Sequence, residues 1–156
     1  MEDQAPVFII SLVEPEIPQN TGTIGRLALA TGCALELVGE LGFDLGEKAV
    51  RRAGLDYWKH VDLRRFEDRH AWYKKALEGS RNWFFSKKAT KTFWDAKFQR
   101  GDRLIFGKET AGLPEKWLEE NPEQALVLPQ LSPKIRSINL ACAVSAVIYE
   151  AHRQLR

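Results

Sequence analysis

The chain has 156 residues, 44% hydrophobic and 28% charged, enough for one domain with a substantial core and unlike a disordered or fibrous chain. The apolar run near Leu140–Tyr149 is far shorter than the ~20 residues of a membrane span, and the acidic start "MEDQAPVFII" does not read as a signal peptide. A formal net charge of +2 conceals an acidic first third: residues 1–46 hold seven acids against one base, Arg26, whereas residues 47–103 hold sixteen bases and eight acids.

In chain order, "VFIISLV" (Val7–Val13) predicts a short buried parallel strand, and the polar loop "EPEIPQN" leads into a helix over "TGTIGRLALATGC". "ALELVGE" predicts a second strand, "EKAVRRAG" a short helix and "HVDLRRF" a third strand. "EDRHAWYKKALEG" is amphipathic and stops at Gly79. "NWFFS" and "DRLIFG" give two more strands with an irregular piece between them. "PEKWLEEN" starts a helix at proline, "QALVLP" is a sixth strand, and Ser137–Leu155 is the last helix, with Ser137 as its N-cap. The expected architecture is therefore α/β: a mainly parallel six-stranded sheet flanked by helices, in a single domain over residues 1–156. Cys33 and Cys142 each fall in an apolar helical segment, which predicts two buried free thiols in a reducing cytoplasm.

Residues 47–103 also carry eleven of the sixteen aromatics, among them Tyr57, Trp58, Trp72, Tyr73, Trp83 and Trp94. Clustered cations attract phosphates and interleaved rings can stack on bases, so this block is a candidate RNA or DNA surface. For any one ring a place in the core is an equally good expectation.

Neither a GxGxxG nor a GxxxxGK[ST] motif is present, and His60, His70 and His152 lack metal-ligand spacing. Three loops stand out instead, each following a strand where α/β folds gather ligands. "EPEIPQNTGTIGR" offers Asn20 and Arg26, a guanidinium suited to a phosphate or carboxylate. "FGKETAGLP" offers Gly107, where a missing Cβ would let a flat ligand approach, with Glu109 and the turn glycine Gly112. "LPQLSPKIRSIN" offers Ser137 and Asn139; capping explains the serine, but nothing local explains the asparagine.

In this order and spacing, "EPEIPQNTGTIGRLALATG", "RRAGLDYW", "FGKETAGLP" and "LPQ…IRSINLACAVSAVIYEA" resemble the SPOUT methyltransferases of the SpoU/TrmH type, over essentially the whole chain. Within that group the likeness points to small enzymes that methylate the ribose 2′-hydroxyl of the tRNA wobble nucleotide. The resemblance implies S-adenosylmethionine as methyl donor and a deep trefoil knot over about residues 80–156. It also implies a homodimer with active sites at the subunit interface, and the tRNA anticodon stem-loop as partner. Carried over by position, it implies Arg26, Asn20, Glu109, Ser137 and Asn139 as catalytic residues. It gives Phe85, Gly107, Gly112, Leu128 and Ser137 as the cofactor-binding set, held mainly through backbone, with no metal. A 2′-O-methyltransferase for rRNA or another tRNA position, or an RNA-binding relative without catalysis, stays open on these motifs. One departure is visible: the family commonly continues Asn-Leu-Ser, where this chain has Asn139-Leu140-Ala141.

Overall fold

The computed structural model describes residues 4–46 and 57–156; the helix expected over "EKAVRRAG" and most of the "RRAGLDYW" motif lie outside the described residues. Seven strands form one sheet: β1 (Ile9–Val13), β2 (Ala34–Val38), β3 (Leu63–Phe66), β4 (Asn82–Phe85), β5 (Lys91–Thr92), β6 (Arg103–Phe106) and β7 (Ala125–Val127). Every pairing is parallel, in the order β3-β2-β1-β6-β4-β7-β5. The count of six is thus corrected to seven. The extra strand is a two-residue edge piece, Lys91–Thr92, whose composition carries no alternation to betray it.

Among the described residues four α-helices flank the sheet: α1 (Pro18–Ala30), α2 (Arg69–Gly79), α3 (Glu115–Glu120) and α4 (Leu140–Gln154). Strand side chains alternate between two cores, as period-two geometry demands. Ile10, Leu12, Leu35, Leu37, Leu104 and Phe106 pack under α1 and α4 with Ile24, Ala28, Val144, Val147 and Ile148. Val13, Val38, Phe84 and Ile105 face the other way, against Trp72 and Ala76 of α2 and Trp117 of α3.

That second face also buries a polar cluster. Glu36, 2% exposed, accepts from Ser11 Oγ at 2.7 Å, Trp72 Nε1 at 3.0 Å and Arg103 Nε at 3.1 Å. Arg103 also donates to Asn82 Oδ1 at 3.2 Å, and Asn82 reaches the carbonyls of Ala76 and Ser80 at the end of α2. A buried charge this well partnered is stable as a set; removing one partner would cost about 3–5 kcal/mol. It fixes α2 against the strands and is framework.

Two details of the sequence reading change. Helix α4 is capped by Asn139, whose Oδ1 accepts from the Cys142 amide at 3.2 Å, while Ser137 lies exposed two residues further out. The thiols also differ. Cys33 is buried in the turn between α1 and β2, and burial pushes its thiol up from the usual range. Cys142 is exposed, because α4 turns only its Val144–Val147–Ile148–Ala151 side to the core.

Candidate active site

The winding direction of the sheet reverses at β1. Strands β2 and β3 lie to one side of it, and β6, β4, β7 and β5 to the other. At such a switch point the loops leaving the carboxyl ends diverge and open a crevice. Here the loop after β1 and the loop after β6 flank it directly, since Leu12 is level with Phe106.

Helix α1 begins at Pro18, where the missing N–H costs nothing, but Ile17 before it has no side chain able to cap. The cap arrives from β6's loop. Glu109 accepts from the Ile17 amide at 2.6 Å, the Glu16 amide at 3.0 Å and Asn20 Nδ2 at 3.5 Å. A carboxylate at a helix start meets both unpaired amides and the positive end of the dipole. Glu16 answers in the opposite direction: its carboxylate accepts from the Thr110 hydroxyl at 2.6 Å and the Thr110 amide at 3.2 Å. Those two bonds, the hydroxyl first, hold the Glu16 carboxyl below its ordinary value. Two reciprocal clasps therefore lock the first loop to the second.

The third loop joins through Asn20. Its Nδ2 is directed at Glu109, so its Oδ1 is left to accept, and it receives Asn139 Nδ2 at 3.2 Å. Asn139 in turn caps α4. A single hydrogen-bonded chain thus runs Glu109–Asn20–Asn139–α4, joining residues up to 119 positions apart in sequence. This supplies what local reading lacked, a reason for an asparagine at that doorway: it is both helix cap and cross-link.

Gly107 is required for a different reason from the one expected. A Cβ there would lie 2.1 Å from the Gly112 carbonyl carbon and 2.2 Å from the Leu113 nitrogen, so the space is filled by the chain itself. Gly112, at φ +69°, closes this tight loop by donating its amide to the Lys108 carbonyl at 2.9 Å. Phe85 ends β4 with its ring stacked on Phe106, centroids 4.7 Å apart, so its side chain is core and only its backbone faces the edge. Leu128, half-buried, follows β7. Phe85, Gly107 and Leu128 therefore stand at or just past the carboxyl ends of three neighbouring strands, about 5 Å apart.

Arg26 stands apart. It is exposed on α1, its guanidinium 5.3 Å from the centroid of the Tyr57 ring, and among the described residues no hydrogen bond joins it to Asn20, Glu109, Ser137 or Asn139. Six residues of helix place it about 9 Å along and about 120° around from Asn20. Within a single chain Arg26 is therefore not part of the Glu109–Asn20–Asn139 hydrogen-bonded chain.

Chemically, the assembled cluster is a brace. A carboxylate already receiving three donors and two neutral amides can orient a bound molecule, and they offer no free base. Glu16 and Thr110 were missed in the sequence reading; Thr110 is next to Glu109 and Glu16 four residues before Asn20, and only the long-range pairing reveals their part. The aromatics of the basic block are largely core as well: Trp72, Trp83, Phe84, Phe85, Phe93 and Phe98 are buried, and Trp94 alone among the block's described tryptophans is exposed.

A parallel sheet with its carboxyl-edge loops clasped at a switch point defines an α/β protein built to hold a ligand at that edge. Residues 7–149 match the SpoU rRNA Methylase family, and the chain belongs to it. It is 42% identical over 153 residues to a putative tRNA (cytidine(34)-2′-O)-methyltransferase of Synechocystis, covering 93% of this chain and 95% of that one. It is 44% identical over 150 residues to a tRNA (cytidine(34)-2′-O)-methyltransferase of Acidovorax, covering 95% and 92%. A solved structure described as giving insight into the 2-OH methylation of C/U34 on tRNA superposes with a TM-score of 0.88 at 44% identity, covering 95% of both chains. An AdoMet-bound rRNA methyltransferase of Sinorhizobium meliloti superposes at 0.84 with 25% identity, over all of this chain and 59% of that one.

Proposed function

We propose that the protein transfers a methyl group from S-adenosylmethionine to the ribose 2′-hydroxyl of nucleotide 34, the wobble position of a tRNA anticodon. The observation that carries this reading is the Glu109–Asn20–Asn139 chain, which draws the three motif loops into one crevice at the carboxyl edge. Relatives alike over nearly the full length of both chains bear that activity in their names.

The residues present fit the cofactor. Neighbouring strand ends at Phe85, Gly107 and Leu128 offer backbone groups for a purine edge, over an apolar floor of stacked Phe85 and Phe106. Ser137, Gly112 and the loop between β7 and α4 would flank the ribose and the methionine part. The bound donor supplies a methyl on a sulfonium, whose positive charge is consumed in an in-line displacement by the ribose oxygen. In that transfer the ribose oxygen would take the methyl from sulfur, leaving a neutral thioether, and the hydroxyl proton would pass to solvent or a substrate phosphate.

The protein's part is alignment. Glu109, Asn20 and Asn139 hold the first turn of α1 and of α4 at fixed distance, and so keep the loops that face donor and acceptor in register. Arg26 orients a substrate phosphate with its guanidinium and stabilises charge developing on the ribose oxygen. Its separation from its own chain's cluster accords with a homodimer whose active sites lie at the subunit interface, Arg26 acting across that boundary. The single-domain organisation over residues 1–156, the knotted part over about 80–156 and a cytoplasmic location belong to the same reading. Titration calorimetry with S-adenosylmethionine, followed by transfer of labelled methyl to total tRNA, tests it. Binding with incorporation supports the function, and cofactor binding without incorporation removes tRNA as the substrate.

A further inference from the structure

Beside the proposed cofactor crevice, on the outer rim of the sheet, a tryptophan ring is left in water. Trp94 is 62% exposed although it follows directly on the edge strand β5. Its neighbours hold it there. Phe93 and Ala96 are buried at 5% and 2%, and the Thr92 hydroxyl hydrogen-bonds Asp95 at 3.1 Å, closing the turn. The indole leans on the Phe93 ring, centroids 5.4 Å apart and tilted by 36°. A rotamer fixed from beneath has little entropy left to lose on contact.

A single exposed ring needs no explanation by itself, but this one has a setting. β5 pairs with β7 at the same edge from which the loops after β4, β6 and β7 emerge. The connection from β4 to β5 carries Lys87 and Lys88, both exposed, and Lys87 Nζ reaches across to the Arg136 carbonyl at 3.4 Å in the loop before α4. Cations and an aromatic face thus share one rim. From β6, whose following loop carries Glu109, three strand spacings to β5 make about 15 Å, a span of a few nucleotides.

We infer that Trp94 is a stacking platform for an unpaired base of the RNA substrate, a few nucleotides from the methylated ribose, with Lys87 and Lys88 meeting the backbone beside it. This rests on the RNA-methylating reading above. The occupant is single-stranded RNA because a rigid indole on a rim that also carries exposed Lys87 and Lys88 suits a base and its phosphates together, whereas a second copy of this chain would meet like charge on that rim.

The test compares the full-length protein with Trp94→Ala, Trp94→Phe and Lys87→Ala, using a synthetic anticodon stem-loop. Anisotropy gives RNA affinity across a salt series, calorimetry gives S-adenosylmethionine affinity, and sedimentation gives assembly state. Trp94→Ala is expected to weaken RNA binding about tenfold or more with an unchanged salt slope, an unchanged cofactor affinity and an unchanged assembly. Trp94→Phe should restore most of the loss, and Lys87→Ala should shallow the slope instead. Normal RNA affinity in Trp94→Ala, or a change in assembly, overturns the platform while leaving the methyltransferase reading intact. Failure of the unaltered protein to bind the stem-loop overturns both.

Discussion

Glu109 accepts the Ile17 amide at 2.6 Å, so the helix that opens the chain's first motif is capped by a residue 92 positions later. The two motifs are therefore one structural unit. Replacing Glu109 with Ala removes a cap and a favourable charge at a helix start, and unfolding in urea should show about 1–2 kcal/mol lost. Methyl transfer should fall by more than that loss explains, because the α1 start and the Asn20 amide come adrift together. Glu109→Gln, which can still accept, should recover much of the stability. Equal stability in Glu109→Ala and the unaltered protein would contradict the cap.

Gly107→Ala adds one carbon at a point already occupied by the Gly112–Leu113 backbone. The loop carrying Glu109 must shift, at an expected cost of about 1–3 kcal/mol or more, read as a lowered melting temperature. Cofactor affinity should drop in the same variant, since Gly107 is itself one of the three strand ends. Gly79→Ala is the matching control, because nothing lies within 4 Å of a Cβ there.

Much of this was readable from sequence, and the reasons differ by element. Strands β1, β2, β4 and β6 declare themselves as short apolar runs because both faces of a parallel sheet are covered. The convergence of three loops follows from strand-end chemistry. Which polar residue caps α4 did not follow, since Ser137 and Asn139 are both good caps and only the bond from Asn20 selects between them. The exposure of Cys142 was equally hidden: α4 is apolar nearly all round, and with Tyr149 at 60% exposure its outer side is left bare in the single chain. The Glu36–Arg103 pair sits inside otherwise strand-like runs, where one acid among apolar residues could have signalled a buried partner.

The clasp between Glu16 and Thr110 makes a pH-dependent difference. A carboxyl held below its ordinary value of 4.5 by hydrogen bonds in the folded state contributes stability that is complete above that value and is lost as pH falls through the lowered one. Thr110→Val removes the hydroxyl bond, so it should be less stable than the unaltered protein at neutral pH. The gap between their melting temperatures should narrow as pH drops below about 4.5. A gap constant from pH 7 to pH 3 would contradict the assignment.

Arg26→Lys keeps a positive charge but loses the planar fork that meets two phosphate oxygens at once. The expected outcome is unchanged calorimetric affinity for S-adenosylmethionine with methyl transfer lowered at least tenfold. Mixing Arg26→Lys with a variant altered only at Asn139 should restore part of the activity if the two residues serve one site from different chains. No recovery in the mixture would keep Arg26 within its own protomer.

The proposed task of the crevice closed by Glu109, Asn20 and Asn139 is to direct a methyl group to one sugar oxygen. Nucleoside mapping by mass spectrometry of tRNA treated with the protein and S-adenosylmethionine addresses it most directly. A single 2′-O-methyl mark on nucleotide 34, absent with Asn139→Ala, is the expected result. A methyl on a base, on another position, or undiminished in that variant would contradict the account.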